Sequence, residues 1–360
     1  MRKVQIGMVK PGDKVAKPIF QENGNVLLGE GVELNDRYID RLCNLGIDFL
    51  FIEDGMTADI IPEDAIREET RKQAVDTIYK TMNSFKDQTV SKGRTIAPDM
   101  GRNFRAVFGQ IMQDLATRPN MLVNLSSIHA MDGYLFQHSF NVAVLAGIMG
   151  IAKGFNRNQL EELGIGALLF DIGMTKVPAK LLNQTRAFTA EEHKVVEAHA
   201  KDGFDILRKY HDISIVSAHC ALQHHERYNG SGYPRGLKEN DIHIFGQIVG
   251  LADTFDALTS PRPYRKRYTA NEAIEFLFAA GGTFFDLDLI KLFCRHISIY
   301  PVATSLLLST GQVGVVTENN ELAVHRPRVR IIMEANGTMP AEPYELELKD
   351  ELYITIVKEL

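Results

Sequence analysis

The stretch His224-His225-Glu226-Arg227-Tyr228-Asn229-Gly230-Ser231-Gly232-Tyr233-Pro234 decides how the rest of the chain is read. Two adjacent imidazoles and a carboxylate are groups that bind metals or move protons, and they close a helix-compatible run. The residues after them are built as a loop. Gly230 and Gly232 admit backbone angles closed to other residues and Pro234 fixes its own, so the segment can fold tightly beside whatever the histidines hold. A His-His pair is also an ordinary surface or capping feature, so its meaning depends on what else the chain supplies.

Length and composition set the frame. With 360 residues and a hydrophobic content of 45%, the chain can hold about two or three domains with a buried core. The net charge of −6 argues against a nucleic-acid polymer as partner, while leaving room for a local basic pocket for a small anion. Cys43, Cys220 and Cys294 are far apart and form no Cys-x-x-Cys pattern. They suit a reducing compartment without a disulfide framework. Met1 to Lys10 lacks a signal-like apolar core, and the longest apolar run, Phe140 to Ala152, is too short to span a bilayer. The expectation is a soluble, cytoplasmic protein.

Outward from the histidine stretch, residues 98–300 read as helices. Phe104–Ala116, Gly133–Ala152, Arg157–Leu169, Ala190–Lys209, Ile213–His225, His243–Leu258 and Asn271–Ala279 carry apolar faces at helical period, which predicts an all-α bundle. Residues 1–57 read as a small α/β module. Glu22-Asn23-Gly24 joins two strands as a hairpin, Asn35 caps a short helix with Tyr38, Ile39, Leu42 and Leu45 on its apolar face, and Ile47–Ile52 resumes as a strand. Residues 58–97 predict a connecting helix from Pro62 to Ser84, with Pro62, Glu63 and Asp64 in its first turn, and then a loop. Residues 301–360 break into short β-type runs at Ser305–Leu308, Val313–Thr317, Glu321–His325, Val329–Met333, Tyr344–Leu348 and Tyr353–Val357, which predict a small antiparallel sheet or partial barrel. The fold class is therefore multidomain and mainly α, with the terminal modules as docking or regulatory surfaces.

Within the bundle, His138, Asp171, His199, His224, His225 and Asp253 lie in or beside helices, most among apolar neighbours that turn them inward. Buried ionisable groups need partners, and a shared metal would satisfy many at once. Each also has an ordinary alternative. His138 suits a hydrogen-bonded core histidine, Asp171 the start of a turn, His199 a half-exposed position beside Glu197, and Asp253 a cap in a polar network.

Order and spacing go further. The succession His138, Phe170-Asp171-Ile172-Gly173, His199, His224-His225-Glu226, Gly232-Tyr233-Pro234, and Asp253 followed by Arg262-Pro263-Tyr264-Arg265 resembles the HD-GYP family over about residues 130–295. Val177-Pro178, Gly203 and Thr254-Phe255-Asp256-Ala257-Leu258-Thr259 extend the match. The resemblance implies a bacterial helical bundle that holds iron or manganese and hydrolyses the second messenger cyclic di-GMP. It also implies roles. Asp171 would bridge two ions, His138 and Asp253 would complete one, and His199, His224 and His225 the other. Asp171 and Tyr233 take the catalytic places, and Arg262 and Arg265, with Tyr233 shaping the loop, would hold the nucleotide. The chemistry suits these residue types, because ions held by imidazole and carboxylate can deprotonate a water and neutralise a phosphodiester's charge.

The chain departs from this pattern where it matters. The defining His-Asp dipeptide reads Phe170-Asp171, and the lysine expected three residues after that aspartate is Met174. Phenylalanine cannot ligate, and methionine carries no cation. Lys176 falls on a different side of an ideal helix. His211-Asp212 lies between the ligand helices and reads as a helix-terminal decoy, while His129, His193, His219, His243, His296 and His325 have no matched role and read as structural. With three histidines and Asp171 left to one site and only His138, Asp171 and Asp253 to the other, one strong and one weak site are expected, and Tyr134, standing where a three-metal branch has glutamate, argues for two sites at most. Three readings stand at this point: a weakened cyclic di-GMP phosphodiesterase, a receptor that binds the nucleotide uncut, and a bundle kept for contacts with signalling proteins or a second copy.

Overall fold

The computed structural model describes residues 1–20, 26–88, 99–117, 128–129, 134–182, 184, 186–260, 267–320 and 323–360. Strands β1 (Arg2–Gln5), β2 (Ile19–Phe20) and β3 (Val26–Leu28), helix α1 (Asp36–Asn44) and strand β4 (Phe49–Ile52) form the N-terminal module. β1 pairs antiparallel with β4, and β2 with β3. The hairpin turn expected at Glu22-Asn23-Gly24 lies outside the described residues. The Asn35 side chain accepts from Tyr38 N and so caps α1, as its position predicts, and Leu42 is buried beneath the helix. Tyr38, assigned to the apolar face, instead stands exposed beside its own cap.

Helix α2 (Glu68–Gln88) begins six residues later than expected. Asp64, placed in its first turn by sequence, holds Lys17 of the N-terminal module at 2.8 Å instead. The helix start is capped from elsewhere: Asp114, buried on α3 (Met100–Ala116), accepts from Arg67 N at 3.1 Å and from Arg67 Nε at 2.6 Å. A cap supplied by another helix leaves no local signal. Ala74, Ile78 and Met82 face the bundle's own core.

The bundle continues through β5 (Ile128–His129), α4 (Tyr134–Ala152), α5 (Arg157–Leu169), a short α6 (Ala179–Leu182), α7 (Ala190–Leu207), α8 (Ile215–Gln223), α9 (Ile244–Thr259), α10 (Ala270–Ala279) and α11 (Leu287–Cys294). β5, not anticipated in a helical region, pairs parallel with β2. α11 is likewise absent from the expected helices; Asp286 caps it through Leu289 N. α4 is the central helix. The apolar run read as too short to span a bilayer is part of a longer window, Leu135–Ala152, that is long and apolar enough to cross a membrane by length and composition, and 78% of that window is buried inside the fold.

The last residues form an antiparallel sheet in the order β10-β6-β7-β8-β9, with β6 (Ser305–Leu308), β7 (Val313–Glu318), β8 (Arg328–Met333), β9 (Tyr344–Glu347) and β10 (Ile356–Glu359). The strand expected at Glu321–His325 does not form over its described residues, which make a turn. β10 starts later than expected because Arg326 donates to the carbonyls of Leu348, Glu351 and Ile354, holding that stretch as a turn. The two terminal modules share a core in which Val4, Leu50 and Phe51 pack with Ala303 and Val315. Lys3 N donates to the Ala303 carbonyl at 2.7 Å, and Arg330 pairs with Asp59. The multidomain, mainly α class expected from sequence is the one observed.

Candidate metal centre

Two backbone contacts bring the central side chains together. The run Leu168-Leu169-Phe170 is fully buried and carries the chain into the core, where a 3-10 turn, Ile172–Lys176, begins just after Asp171. In that turn Gly173 lies directly against the carbonyl of His199 on α7, where any Cβ would overlap it. Asp171 is thereby set beside His199. Gly250 on α9 lies in the same way against the carbonyl of His224, just past α8. That contact brings α9, which carries Asp253, against the histidine pair.

The resulting geometry is specific. His199 Nε2 lies 3.2 Å from His224 Nε2 and 3.5 Å from Asp171 Oδ1, and His224 Nε2 lies 3.8 Å from the same oxygen. A carbonyl only accepts, so the Nδ1 atoms carry the protons: His199 Nδ1 donates to the Val196 carbonyl, and His224 Nδ1 to that of Ala221 at 2.9 Å. Both Nε2 atoms then present lone pairs toward each other and toward a carboxylate oxygen. His225 completes the group, with ligand atoms of His199, His224 and His225 all within 4.8 Å of one another. Three or four acceptors facing one point repel unless a cation lies among them, and bonds of about 2.1 Å put ligand atoms roughly 3–3.5 Å apart. The donor set therefore fits a divalent transition ion.

Electrostatics favour the same species. Burial, reinforced by neighbouring His199, holds the His224 pKa down at about 4. Burial likewise holds His225 well below its usual value. These rings are neutral near pH 7, the form that ligates.

His138 and Asp253 form a second group. His138 Nε2 meets Asp253 Oδ1 at 2.9 Å, and its Nδ1 meets Asp256 Oδ2 at 2.7 Å. Burial opposes a charge on this ring, but the two carboxylates outweigh it and raise its pKa to about 10. Asp253 is correspondingly lowered: burial works against it, and the bond to His138 prevails.

Phe170 stands between the two groups. Its ring is fully buried, 5.5 Å from the His138 ring and 4.9 Å from the His224 ring, centroid to centroid. His199 and His224, whose Nε2 atoms face each other, have a centroid separation of 5.3 Å. The phenyl ring is thus packed edge-on against an imidazole of each group. Met174 is half-buried, and Lys176 turns outward to pair with Asp202 at 2.6 Å.

The glycine-rich loop wraps the open side. Tyr233 N donates to the His225 carbonyl at 3.2 Å, and the Tyr233 ring lies on the His225 ring at 4.7 Å. Burial, then Asp253, pushes the Tyr233 hydroxyl upward, so it keeps its proton. Glu226, grouped by sequence with the metal-binding or proton-moving residues, is committed elsewhere. Its carboxylate accepts from Arg235 N at 2.8 Å and Leu237 N at 2.9 Å, which fastens the loop. Arg227 Nη1 donates to the carbonyls of His224 and Glu226, both at 3.1 Å. The decoy His211-Asp212 is remote in role, since Asp212 accepts from Arg102 N at the start of α3. Arg262 and Arg265 lie outside the described residues. Asp256 and Asn141 join the centre without having been assigned a role from sequence. Their spacing, three residues after Asp253 and three after His138, puts each on the same helix face as that residue and was the available signal.

A family model described as an HD domain matches residues 110–289, half of the chain, and a KOW domain associated with HD domain matches 306–360. Among curated relatives, the chain is 32% identical over 241 residues to the cyclic di-GMP phosphodiesterase PA4108 of Pseudomonas aeruginosa, covering 66% of this chain and 58% of that protein. It is 36% identical over 160 residues to a cyclic di-GMP phosphodiesterase of Thermotoga maritima, covering 44% of each. The chain thus spans about half the length of these relatives. Among solved structures, Bd1817, a HDG"Y"P protein from Bdellovibrio bacteriovorus, matches with a TM-score of 0.50 at 16% identity, over 81% of this chain and 97% of that one, a likeness of fold. With the bundle spanned by that model and the dispersed His, Asp and Gly-Tyr-Pro elements assembled around one centre, the chain belongs to the HD domain family, in its HD-GYP branch.

Proposed function

We propose that the chain hydrolyses a phosphodiester bond of cyclic di-GMP at a divalent-metal centre held by Asp171, His199, His224 and His225, at a rate lowered by Phe170 and Met174. The observation that carries this reading is the convergence of the His199 and His224 Nε2 atoms with Asp171 Oδ1 within 3.8 Å. The substrate is supported by the activity of the relatives, which are cyclic di-GMP phosphodiesterases. Imidazole with carboxylate suits iron or manganese better than calcium.

When bound, such an ion supplies Lewis-acid activation of water and neutralises charge on the phosphate. The chain's own residues supply placement. His199 and His224 are aimed by backbone carbonyls, His225 is backed by the Tyr233 ring, and Glu226 holds the loop that carries Tyr233. Tyr233, with its proton retained, walls the site and offers a hydrogen-bond donor to the substrate. Arg262 and Arg265 hold its phosphates as guanidinium-phosphate pairs. On the other flank His138 and Asp253 are a reduced ligand set, because Phe170 fills the third position. Loss of one electrostatic contact to the transition state costs roughly a hundredfold or more in rate.

The test is the purified chain loaded with Mn²⁺ or Fe²⁺ and incubated with cyclic di-GMP, with linear dinucleotide and GMP resolved by chromatography. Slow product formation, abolished in His199→Ala and His224→Ala, is expected. No product under either metal would refute the reading.

A further inference from the structure

We infer that Asp256 and Asn141 are positioning residues for His138, committing its Nδ1–H to Asp256 so that Nε2 is the nitrogen turned toward Asp253. The inference rests on the reading of this region as a metal centre and concerns only its weaker flank.

Donors and acceptors are fixed in turn along one buried chain of side chains. Asp256 is buried on α9, one turn from Asp253, and its carboxylate can only accept. It takes three donors: His138 Nδ1 at 2.7 Å, Asn141 Nδ2 at 2.8 Å, and Ser260 Oγ at 3.2 Å. The carboxylate orients the Asn141 amide with its NH₂ toward Asp256. Asn141 Oδ1 must then face the other way, where it accepts from Gln137 Nε2 at 2.8 Å. Gln137, His138 and Asn141 share α4, so one helix contributes the ring, the group that steers its carboxylate, and the group that steers that amide. The outcome is a fixed polarity. His138 Nδ1 donates to Asp256, and Nε2 is aimed at Asp253 Oδ1, 2.9 Å away.

Orientation of a ligating imidazole through its second nitrogen typically changes metal affinity by about 10–100-fold. Here it also explains why the His138 flank keeps its geometry although Phe170 has removed the neighbouring ligand. Two of its bonds come from α9 rather than from position 170.

Two measurements test this on the full chain. The first is the ¹H–¹⁵N spectrum of histidine-labelled, chelator-treated protein. Wild type should show a downfield, slowly exchanging Nδ1–H assigned to His138, which persists in Asp256→Glu and is lost in Asp256→Asn. Its absence from wild type would overturn the inference whether or not a metal binds. The second is Mn²⁺ titration of Phe170→His, which restores the missing ligand. Asp256→Asn in that background should weaken the second ion by about 10–100-fold and leave the first unchanged. The exchanged pair Asn141→Asp with Asp256→Asn keeps volume and the number of polar groups but moves the charge away from His138, so it should not rescue. Rescue by the exchanged pair, or an equal loss at both ions, would show a merely structural role. Failure of Mn²⁺ to bind even Phe170→His, with the N–H signal intact, would sink the metal reading and leave the positioning role standing.

Discussion

Phe170→His is the sharpest perturbation, because the phenyl ring sits at ligand-like separations of 5.5 and 4.9 Å from the His138 and His224 rings. In the metal-free chain the substitution places a polar ring in a fully buried site. An unpartnered polar group costs about 1–3 kcal/mol, and the lost apolar contact adds about 1 kcal/mol. A loss near 3 kcal/mol lowers the melting temperature by roughly 6–12 °C in a domain of this size. A divalent ion held about a thousandfold above its dissociation constant restores about 4 kcal/mol. Mn²⁺ should therefore raise the melting temperature of Phe170→His well above the rise it produces in wild type, with a second equivalent of metal bound. Turnover of cyclic di-GMP should rise about a hundredfold, and further when Met174→Lys is added. Differential scanning calorimetry, metal analysis by mass spectrometry and the chromatographic assay read these effects. A variant that stays destabilised in excess Mn²⁺, binds no further ion and gains no turnover would refute the placement of residue 170 at a vacated ligand position.

The same geometry sets other outcomes. Gly173→Ala would press a methyl group into the His199 carbonyl; overpacking of this kind costs about 1–3 kcal/mol, and the separation of Asp171 from His199 should weaken the first metal ion, read by calorimetric titration. Glu226→Gln removes a charged acceptor shared by Arg235 N and Leu237 N; hydrogen exchange at those two amides should accelerate by one to two orders of magnitude, while unchanged protection would contradict the loop-fastening role. In pH, the sign is set by two groups in the metal-free chain. His224 has a folded pKa of about 4, below its unfolded value, so the unfolded chain binds more protons between the two and stability falls as pH drops below about 6.5. His138 is raised to about 10, so its contribution is full below about 6.5 and is lost as pH climbs through about 10. Denaturant unfolding in chelator should show both limbs, with Asp256→Asn flattening the alkaline one. Stability that rose steadily to pH 10 would contradict the His138 assignment.

Periodic apolar faces made most helices legible. Asn35, which caps from within its own segment, gave a start close to the one observed. The features that escaped are set at long range. The start of α2 depends on Asp114 of another helix, β5 exists only by pairing with β2, and the shared core of the terminal modules joins Val4 to Val315. No local pattern carries such information. At the centre, six ligand-type residues were readable because few residue types ligate. The commitment of Glu226 to two backbone amides was not, since a carboxylate after two histidines looks the same in sequence whether it binds an ion or a loop. Asp256 belongs to a recognisable motif, but only the structure gives it His138 and Asn141 as partners.

The most direct measurement is anomalous diffraction at the manganese edge from crystals of the Mn²⁺-loaded chain. A strong peak bonded to His199 Nε2, His224 Nε2, His225 and Asp171 is the predicted result, with at most a weaker one between His138 and Asp253. A peak lying elsewhere, or none among these four side chains while Mn²⁺ is in excess, would contradict it.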